Sequence, residues 1–414
     1  MYQLPPLILI ASNIILVVTG LLVFQRIGLT QWNWLWSLVV LAGIYSALNI
    51  YRQATGNSQY RMKLPGNWPL LLRRVLARYV VWLGLIYSGY LFYHLEPYYA
   101  TESFAANQWL FEKLLHYYLF LGIPYFLVTL IFRHSPREDY YDPAIRLIHI
   151  VKQITLQLAQ GASVKRSFRV MHKRYNRKIL LILIMRVYFI PLLVAQVYYN
   201  LYYGIHWYTQ YQSSHDMMNL LLAVTSCIWL LDVTNASLAY LVESRWLENR
   251  SRSIDLTVSG WLVCLMCYAP LNFITGAVLP FAPSVVTYQA QDLLVNDMTW
   301  VYVTKTLEAL LLFIHVCCGL SLGTSVTNIT LRKLQTRGPY GLVRHPGVST
   351  KLLFWLMQSV FYRQFWQAKF IVGYIAWGWI YIGRAFTEER HLKHFPEYRE
   401  YMRKVKYRFL PWIF

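Results

Sequence analysis

The run VYVTKTLEALLLFIHVCCGLSL, residues 301–322, is almost wholly apolar, and its length decides the class of fold. A helix that crosses the roughly 30 Å of hydrocarbon in a bilayer needs about 20 such residues. Seven earlier stretches meet the same requirement, beginning near Leu4, Trp34, Val75, Trp109, Ile179, Asn219 and Val258. We therefore predict an all-α fold, a polytopic transmembrane helix bundle of about eight spans.

A ninth apolar region, from about Thr350 to Phe386, is interrupted by Arg363 and Lys369. Its halves are shorter than a full span, so the pattern predicts a C-terminal helical hairpin.

Composition agrees with a membrane protein, since 57% of the 414 residues are apolar and only 14% are charged. Soluble domains carry about 25% charged residues. The N-terminal run lacks a basic leader and a cleavage site, which favours a retained first span over a signal peptide.

Positive charge alternates along the chain. Of the 39 Lys and Arg residues, 33 fall in the connections 52–78, 133–178, 244–256, 328–351 and 384–414. The intervening connections 96–112, 204–218 and 281–299 hold none. Basic residues are retained on the cytoplasmic side, so we expect the N-terminus, the 133–178 loop and the C-terminus there. The net charge of +21 is then a consequence of topology, and no nucleic-acid partner is expected.

The 133–178 segment is the one sizeable soluble piece that the pattern predicts. Apolar residues recur in it at helical spacing, at Ile145, Ile148, Val151, Ile154 and Leu158. The basic run VKRSFRVMHKRYNRK follows at residues 164–178. Two interpretations stay open. The segment is either an amphipathic helix on anionic membrane lipids or a solvated helical loop packed on its neighbours.

Ionisable side chains within apolar runs are costly, so each is a candidate functional residue. Lys305 and Glu308 are spaced i, i+3 and are expected to pair. Asp232 and His315 are weak candidates for a substrate cavity. A lone His in a bundle is more often a hydrogen-bonded packing residue, so no catalytic role is assigned to His315. The five cysteines lie inside apolar runs, and neither a disulfide framework nor a metal site is predicted.

The tail of the chain is the most informative part. GPYGLVRHPGVSTK spans residues 338–351, and GRAFTEERHLKHFPEYREYMRKVKYRFLPWIF spans residues 383–414. This order resembles the isoprenylcysteine carboxyl methyltransferase and phospholipid methyltransferase superfamily. The matching residues are Gly338, Tyr340, Arg344, His345, Pro346, Glu388, Glu389, Leu392, Phe395, Tyr398, Tyr401, Val405 and Pro411. The resemblance covers residues 338–414, with both halves in order and suitably separated.

The resemblance implies an enzyme that uses S-adenosylmethionine to methylate a membrane-associated, lipidic acceptor. The cofactor pocket would form on the cytoplasmic side, between the Arg-His-Pro segment and the glutamate segment. Arg344 is expected to bind the cofactor carboxylate, and His345 and Tyr340 the adenine and ribose. Pro346 suits the first turn of a helix whose free amides would help bind that carboxylate.

Three further residues complete the expected site. Glu388 and Glu389 are expected to bind the ribose or amino group of the cofactor, or to take a proton. Arg384 lies one helical turn before Glu388 and is a candidate to orient an anionic acceptor. We expect Arg384 and Glu388 to act in catalysis. The basic residues beyond them are expected to contact lipid headgroups: Arg399, Arg403, Lys404, Lys406 and Arg408.

The family pattern usually has Tyr and Gly where this chain has Val348 and Thr350, so cofactor contacts or the substrate are expected to differ. Residues 1–300 have no counterpart in short family members, and residues 301–414 form the methyltransferase-like region. Two alternatives stay open. One is an NADPH-dependent reductase of the sterol type, although such enzymes carry Asn where this chain has Gly347. The other is a non-catalytic scaffold or transporter with a degenerate methyltransferase tail.

Overall fold

The computed structural model describes residues 5–26, 35–55, 66–97, 99–101, 104–131, 143–243, 247–281 and 292–411. Within these residues the chain is almost wholly helical. The helices are α1 (Pro6–Arg26), α2 (Leu35–Thr55), α3 (Trp68–Leu95), α4 (Ala105–Ile131), α5 (Pro143–Ala159), α6 (Val164–His172), α7 (Arg174–Ser214), α8 (Met217–Leu241), α9 (Val258–Leu265), α10 (Leu271–Val278), α11 (Met298–Leu322), α12 (Pro339–Leu342), α13 (Pro346–Val360), α14 (Ala368–Leu392) and α15 (Pro396–Lys404). Two short strands, β1 (Ser253–Ile254) and β2 (Thr330–Leu331), pair antiparallel.

Among the described residues, four helices are long and apolar enough to cross a membrane: α3, α7, α8 and α11. Shorter apolar stretches lie in α1, at Pro6–Leu22, and in α2, at Val40–Asn49. Long apolar helices indicate a membrane-embedded protein, and helices are one of the two kinds of structure that can span a bilayer. The count of eight spans goes beyond these four helices and stays a prediction.

The stretch that begins at Val258 is not the continuous span that its hydropathy predicts. It forms α9 and α10, each of eight residues. Pro270 lies between them. Proline lacks the N–H of a helical hydrogen bond and disfavours helical backbone at the residue before it. Eight residues rise only about 12 Å, so neither helix crosses a bilayer by itself.

The C-terminal hairpin is present. Helices α13 and α14 are joined by a 3-10 turn over Arg363–Trp366. The Tyr374 hydroxyl on α14 donates to the Leu352 carbonyl on α13 at 2.9 Å. Pro346 is the first residue of α13, the position where a missing N–H costs nothing. The hairpin therefore begins directly at the Arg-His-Pro motif.

Part of the predicted cytoplasmic loop, residues 133–142, lies outside the described residues. The remainder forms α5, α6 and the start of α7. Ser163 caps α6 by accepting from the Arg166 amide. Val164 and Phe168 are exposed, as are the neighbouring basic residues. The choice between a lipid-surface helix and a packed loop stays open.

The chain divides into two compact units. One comprises Met1–Tyr45, Gln196–Val242 and Glu248–Phe414, and the other comprises Ser46–Ala195 and Glu243–Leu247. The core of the first unit is built by α8, α11, α13 and α14, with Leu312, Val316 and Trp377 at its centre. The unit that holds residues 301–414 thus also holds α1 and α8. In the second unit, α3 packs on α4 around Val75 and Phe126.

Candidate functional site

Glu389, near the end of α14, is only 1% exposed and is surrounded by basic side chains. Arg344 Nε donates to its Oε1 at 2.7 Å. His345 Nε2 lies 3.3 Å from the same oxygen. Arg408 Nε donates to Oε2 at 3.2 Å, and Lys393 Nζ lies 3.7 Å from Oε2. One buried carboxylate therefore holds the Arg-His-Pro segment, the end of α14 and the C-terminal tail together.

Backbone bonds extend this junction along the tail. The amides of Arg344 and His345 donate to the carbonyls of Tyr407 and Arg408 at 3.0 and 2.8 Å. Arg344 Nη1 also donates to the carbonyls of Val405 and Lys406 at 2.9 and 2.8 Å. The tail thus lies alongside the Arg-His-Pro segment. The two motif segments, separated in sequence by the hairpin, meet in the fold.

The charge state of Glu389 follows from its partners. Burial raises the pKa of this carboxyl, but hydrogen bonds from His345 and Arg344 outweigh burial and hold the pKa at about 2. Charge-assisted hydrogen bonds of this kind favour the ionised form. Glu389 is therefore an anion whose hydrogen-bonding capacity is used within the protein.

Glu388, its neighbour in sequence, has different surroundings. It is half-buried and interacts electrostatically with the phenols of Tyr340 and Tyr401. Burial, reinforced by this carboxylate, raises the pKa of Tyr340 and of Tyr401, so both phenols stay protonated. The Tyr401 hydroxyl donates to the Tyr340 carbonyl at 2.7 Å. A carboxylate among aromatic rings suits a cationic ligand.

Arg384 lies one turn before Glu388 on α14. Its guanidinium is 5.6 Å from the ring centroid of Tyr268 and donates to Oδ1 of Asn328. The Tyr268 hydroxyl donates to the same oxygen at 2.9 Å. Asn328 and Tyr268 therefore set the orientation of Arg384, and neither was predicted from the sequence.

His315 on α11 contacts the hairpin through Thr350. Its Nδ1 lies 3.1 Å from the Thr350 hydroxyl, which itself donates to the Pro346 carbonyl at 2.8 Å. This hydrogen bond fits the expected packing role of His315. It also gives a use for Thr350, while Val348 packs against the apolar core.

Asp232 on α8 is half-buried and lies against α11. A Cβ atom at Gly319 would be 2.7 Å from its Oδ1, so the glycine makes space for the carboxylate. Asp232 interacts electrostatically with Lys351. Sequence reasoning missed Lys351, although its spacing of one helical turn from Trp355 signals a cation beside an aromatic ring.

Two further arginines hold segments of the chain together. Arg408, which is expected to contact lipid headgroups, donates from Nε to Glu389, because the tail folds back along the Arg-His-Pro segment. Arg332 is 2% exposed and donates from Nη1 to the carbonyls of Ala239, Thr324 and Val326. Burial lowers the pKa of Arg332 to about 10.

The predicted Lys305–Glu308 pair is present at 2.7 Å.

The chain matches no family model, no curated protein and no solved structure. Among the residues that the structure describes, no three His, Cys, Asp or Glu side chains converge on a potential metal site. All nine residues expected at the site belong to the first compact unit. They are Asp232, His315, Tyr340, Arg344, His345, Pro346, Arg384, Glu388 and Glu389, with Lys351 as the addition from the structure.

Proposed function

We propose that the chain is an integral membrane methyltransferase that uses S-adenosylmethionine on a lipidic, membrane-associated acceptor. The junction of Arg344 and His345 with Glu389 supports this proposal. It joins the two segments of the chain that correspond to the walls of the cofactor pocket in the family that the chain resembles. The residues beside this junction fit the cofactor chemically. Glu388 supplies an anion for its cationic groups, and Tyr340 supplies an aromatic face.

The bound cofactor would supply an electrophilic methyl group for the acceptor nucleophile. The residues of the chain then have two tasks, to align the reactants and to exclude water. Glu388 and Tyr340 would hold the cofactor, together with the amides at the start of α13. Arg384, oriented by Asn328 and Tyr268, would orient the acceptor.

The roles of the two adjacent glutamates separate in this proposal. Glu389 is saturated by basic partners, so it would stabilise the pocket and not touch the cofactor. Arg344 is engaged by Glu389 and two carbonyls. Its expected bond to the cofactor carboxylate would have to use its remaining donors. Glu388 is therefore the carboxylate we assign to cofactor binding and catalysis.

For the membrane topology we propose eight spans with both termini cytoplasmic. The alternation of basic and uncharged connections supports it. The pair α9 and α10 would then form the seventh crossing as a broken helix, which is tolerated where neighbouring protein satisfies the freed backbone groups. This topology puts the junction on the cytoplasmic side of the membrane.

The test is incubation of purified protein with radiolabelled S-adenosylmethionine and a total lipid extract, followed by identification of the labelled product. Wild type and Glu400→Gln, an exposed glutamate on α15, are expected to label lipid, and Glu388→Gln is not. Calorimetric titration with S-adenosylmethionine and, separately, with NADPH completes the test. Binding of NADPH alone would support a reductase and reject the methyltransferase. Binding of neither cofactor would leave the scaffold or transporter.

A further inference from the structure

Lys351 lies on the second turn of α13 and has no role in the mechanism above. Its ammonium is 5.3 Å from the ring centroid of Trp355 and 5.1 Å from that of Tyr381. The two ring centroids are 5.0 Å apart, with the ring planes at 90°. A cation over aromatic faces is stabilised by about 0.5–2 kcal/mol. The rings therefore hold the ammonium at a set position between the two arms of the hairpin.

Two charged groups from other helices interact with this ammonium. Asp232 on α8 attracts it, and Arg384 on α14 repels it. The glycine at position 319 of α11 leaves the space that the Asp232 carboxylate occupies. Glu388, one turn beyond Arg384, faces Tyr340 and Tyr401 and serves the cofactor in the proposed mechanism. Lys351 thus interacts with one carboxylate, Asp232, and with one cation, Arg384.

The surroundings of these charges are apolar. The same four helices build one hydrophobic cluster, which includes Leu231, Val316, Leu320, Phe354, Trp355 and Trp377. Like charges repel strongly where few polar groups screen them, and buried charges need partners. Lys351, Asp232 and Arg384 are half-buried rather than fully enclosed. An anion with a hydrocarbon tail would meet both the two cations and the apolar wall.

We infer that Lys351 and Arg384 together bind the negatively charged headgroup of the acceptor, a lipid carboxylate or phosphate. That the bound lipid is the methyl acceptor rests on the proposed function, but binding of the anion is measurable without the cofactor. An ionised oxygen has no proton to lose, so methyl transfer to it needs no general base. Lys351 would therefore position the headgroup and take no proton from it. A lipid with an ammonium headgroup would meet two cations at close range and is excluded.

The experiment measures binding of four labelled probes with the same hydrocarbon chain: hexadecanoate, hexadecyl phosphate, hexadecanol and hexadecyltrimethylammonium. Purified full-length protein in a non-ionic maltoside detergent is dialysed against each probe at micromolar concentration, and protein-free micelles give the background. Wild type is expected to bind at least one anionic probe at least tenfold more tightly than hexadecanol, and the ammonium probe more weakly than hexadecanol. The stronger of the two anionic probes identifies the headgroup as carboxylate or phosphate.

Four variants test the residues. Lys351→Met is expected to lose the anion preference, and Lys351→Arg is expected to keep it. Lys369→Met is the matched control, because Lys369 is an exposed lysine of the same hairpin whose ammonium lies 4.9 Å from the ring centroid of Phe370. Asp232→Asn is expected to bind anions severalfold more tightly, because the competing carboxylate is removed. A purely structural role of Asp232 would not produce a gain in affinity.

Equal affinity of wild type for the anions and hexadecanol would overturn the inference, as would an unchanged anion preference in Lys351→Met. The outcome is independent of the enzyme assignment. Anion preference without binding of S-adenosylmethionine would reject the methyltransferase and retain the anion site. Methyl transfer by Lys351→Met at the wild-type rate and apparent acceptor affinity would reject the site and retain the methyltransferase.

Discussion

Arg344 and Glu389 are 45 positions apart in the sequence, and Arg344 Nε donates to Glu389 Oε1 over 2.7 Å in the interior of the protein. Their side chains are 5% and 1% exposed. Removing one partner of a buried ion pair leaves an uncompensated charge, which is far more costly than the pair itself is stabilising. This contact therefore controls whether the two motif segments stay together.

Substitution of the two adjacent glutamates is expected to affect different properties, which are the stability of the fold for Glu389 and methyl transfer for Glu388. Glu389→Gln leaves Arg344 and Arg408 without their anion, and should lower the free energy of unfolding by about 3–5 kcal/mol. Glu388→Gln should change it by about 1 kcal/mol or less, yet abolish methyl transfer. Unfolding in increasing SDS, followed by tryptophan fluorescence, measures stability beside the transfer assay. Equal losses of stability in both variants would contradict the division of roles.

Stability should also depend on pH in the acid range. The pKa of Glu389 is lowered from its ordinary value of 4.5 to about 2 in the folded protein. Its stabilising contribution is then fully present above about pH 4.5 and is lost as the pH falls towards 2. Comparison of wild type with Glu389→Gln across this range isolates the contribution. The difference between the two should shrink as the pH falls. A constant difference down to pH 2 would show that ionisation of Glu389 is not its source.

Arg384 is expected to act on the acceptor rather than on the cofactor. Arg384→Lys keeps the charge but loses the fork that Asn328 and Tyr268 orient, so methyl transfer should fall about 10- to 100-fold. Affinity for S-adenosylmethionine, measured by calorimetry, should be unchanged. Arg403→Lys on the exposed side of α15 is the control. A parallel loss of cofactor affinity in Arg384→Lys would place this residue in the cofactor pocket instead.

Membrane topology is open to direct labelling. In a version of the chain whose native cysteines are replaced by alanine, Gln160→Cys lies in the connection between α5 and α6. Gln212→Cys lies near the end of α7, and both positions are exposed. The distribution of basic residues predicts that an impermeant maleimide reaches Gln160→Cys only from the cytoplasmic side and Gln212→Cys only from the other. Labelling of both from one side would refute the proposed orientation.

Prediction from sequence succeeds where a local property decides the structure. Apolar runs of sufficient length become helices in the places expected, since a chain in hydrocarbon must satisfy its backbone hydrogen bonds locally. The hairpin and the Lys305–Glu308 pair are also local, and both were predicted. The prediction of one continuous span from Val258 was wrong, because hydropathy alone does not show that the helix is interrupted at Pro270.

The sequence by itself determined the all-helical class, the long apolar helices of a membrane-embedded protein, the hairpin, and the residues on which the resemblance to the methyltransferase superfamily rests. It gave no physical reason for the different surroundings of Glu388 and Glu389, which are neighbours of the same type. Consecutive side chains on a helix point about 100° apart, so packing of α14 against the tail decides which one faces Arg344 and Arg408. Only the tertiary structure puts the Lys351 ammonium beside Tyr381 and within electrostatic reach of Asp232 and Arg384, because these interactions join three different helices.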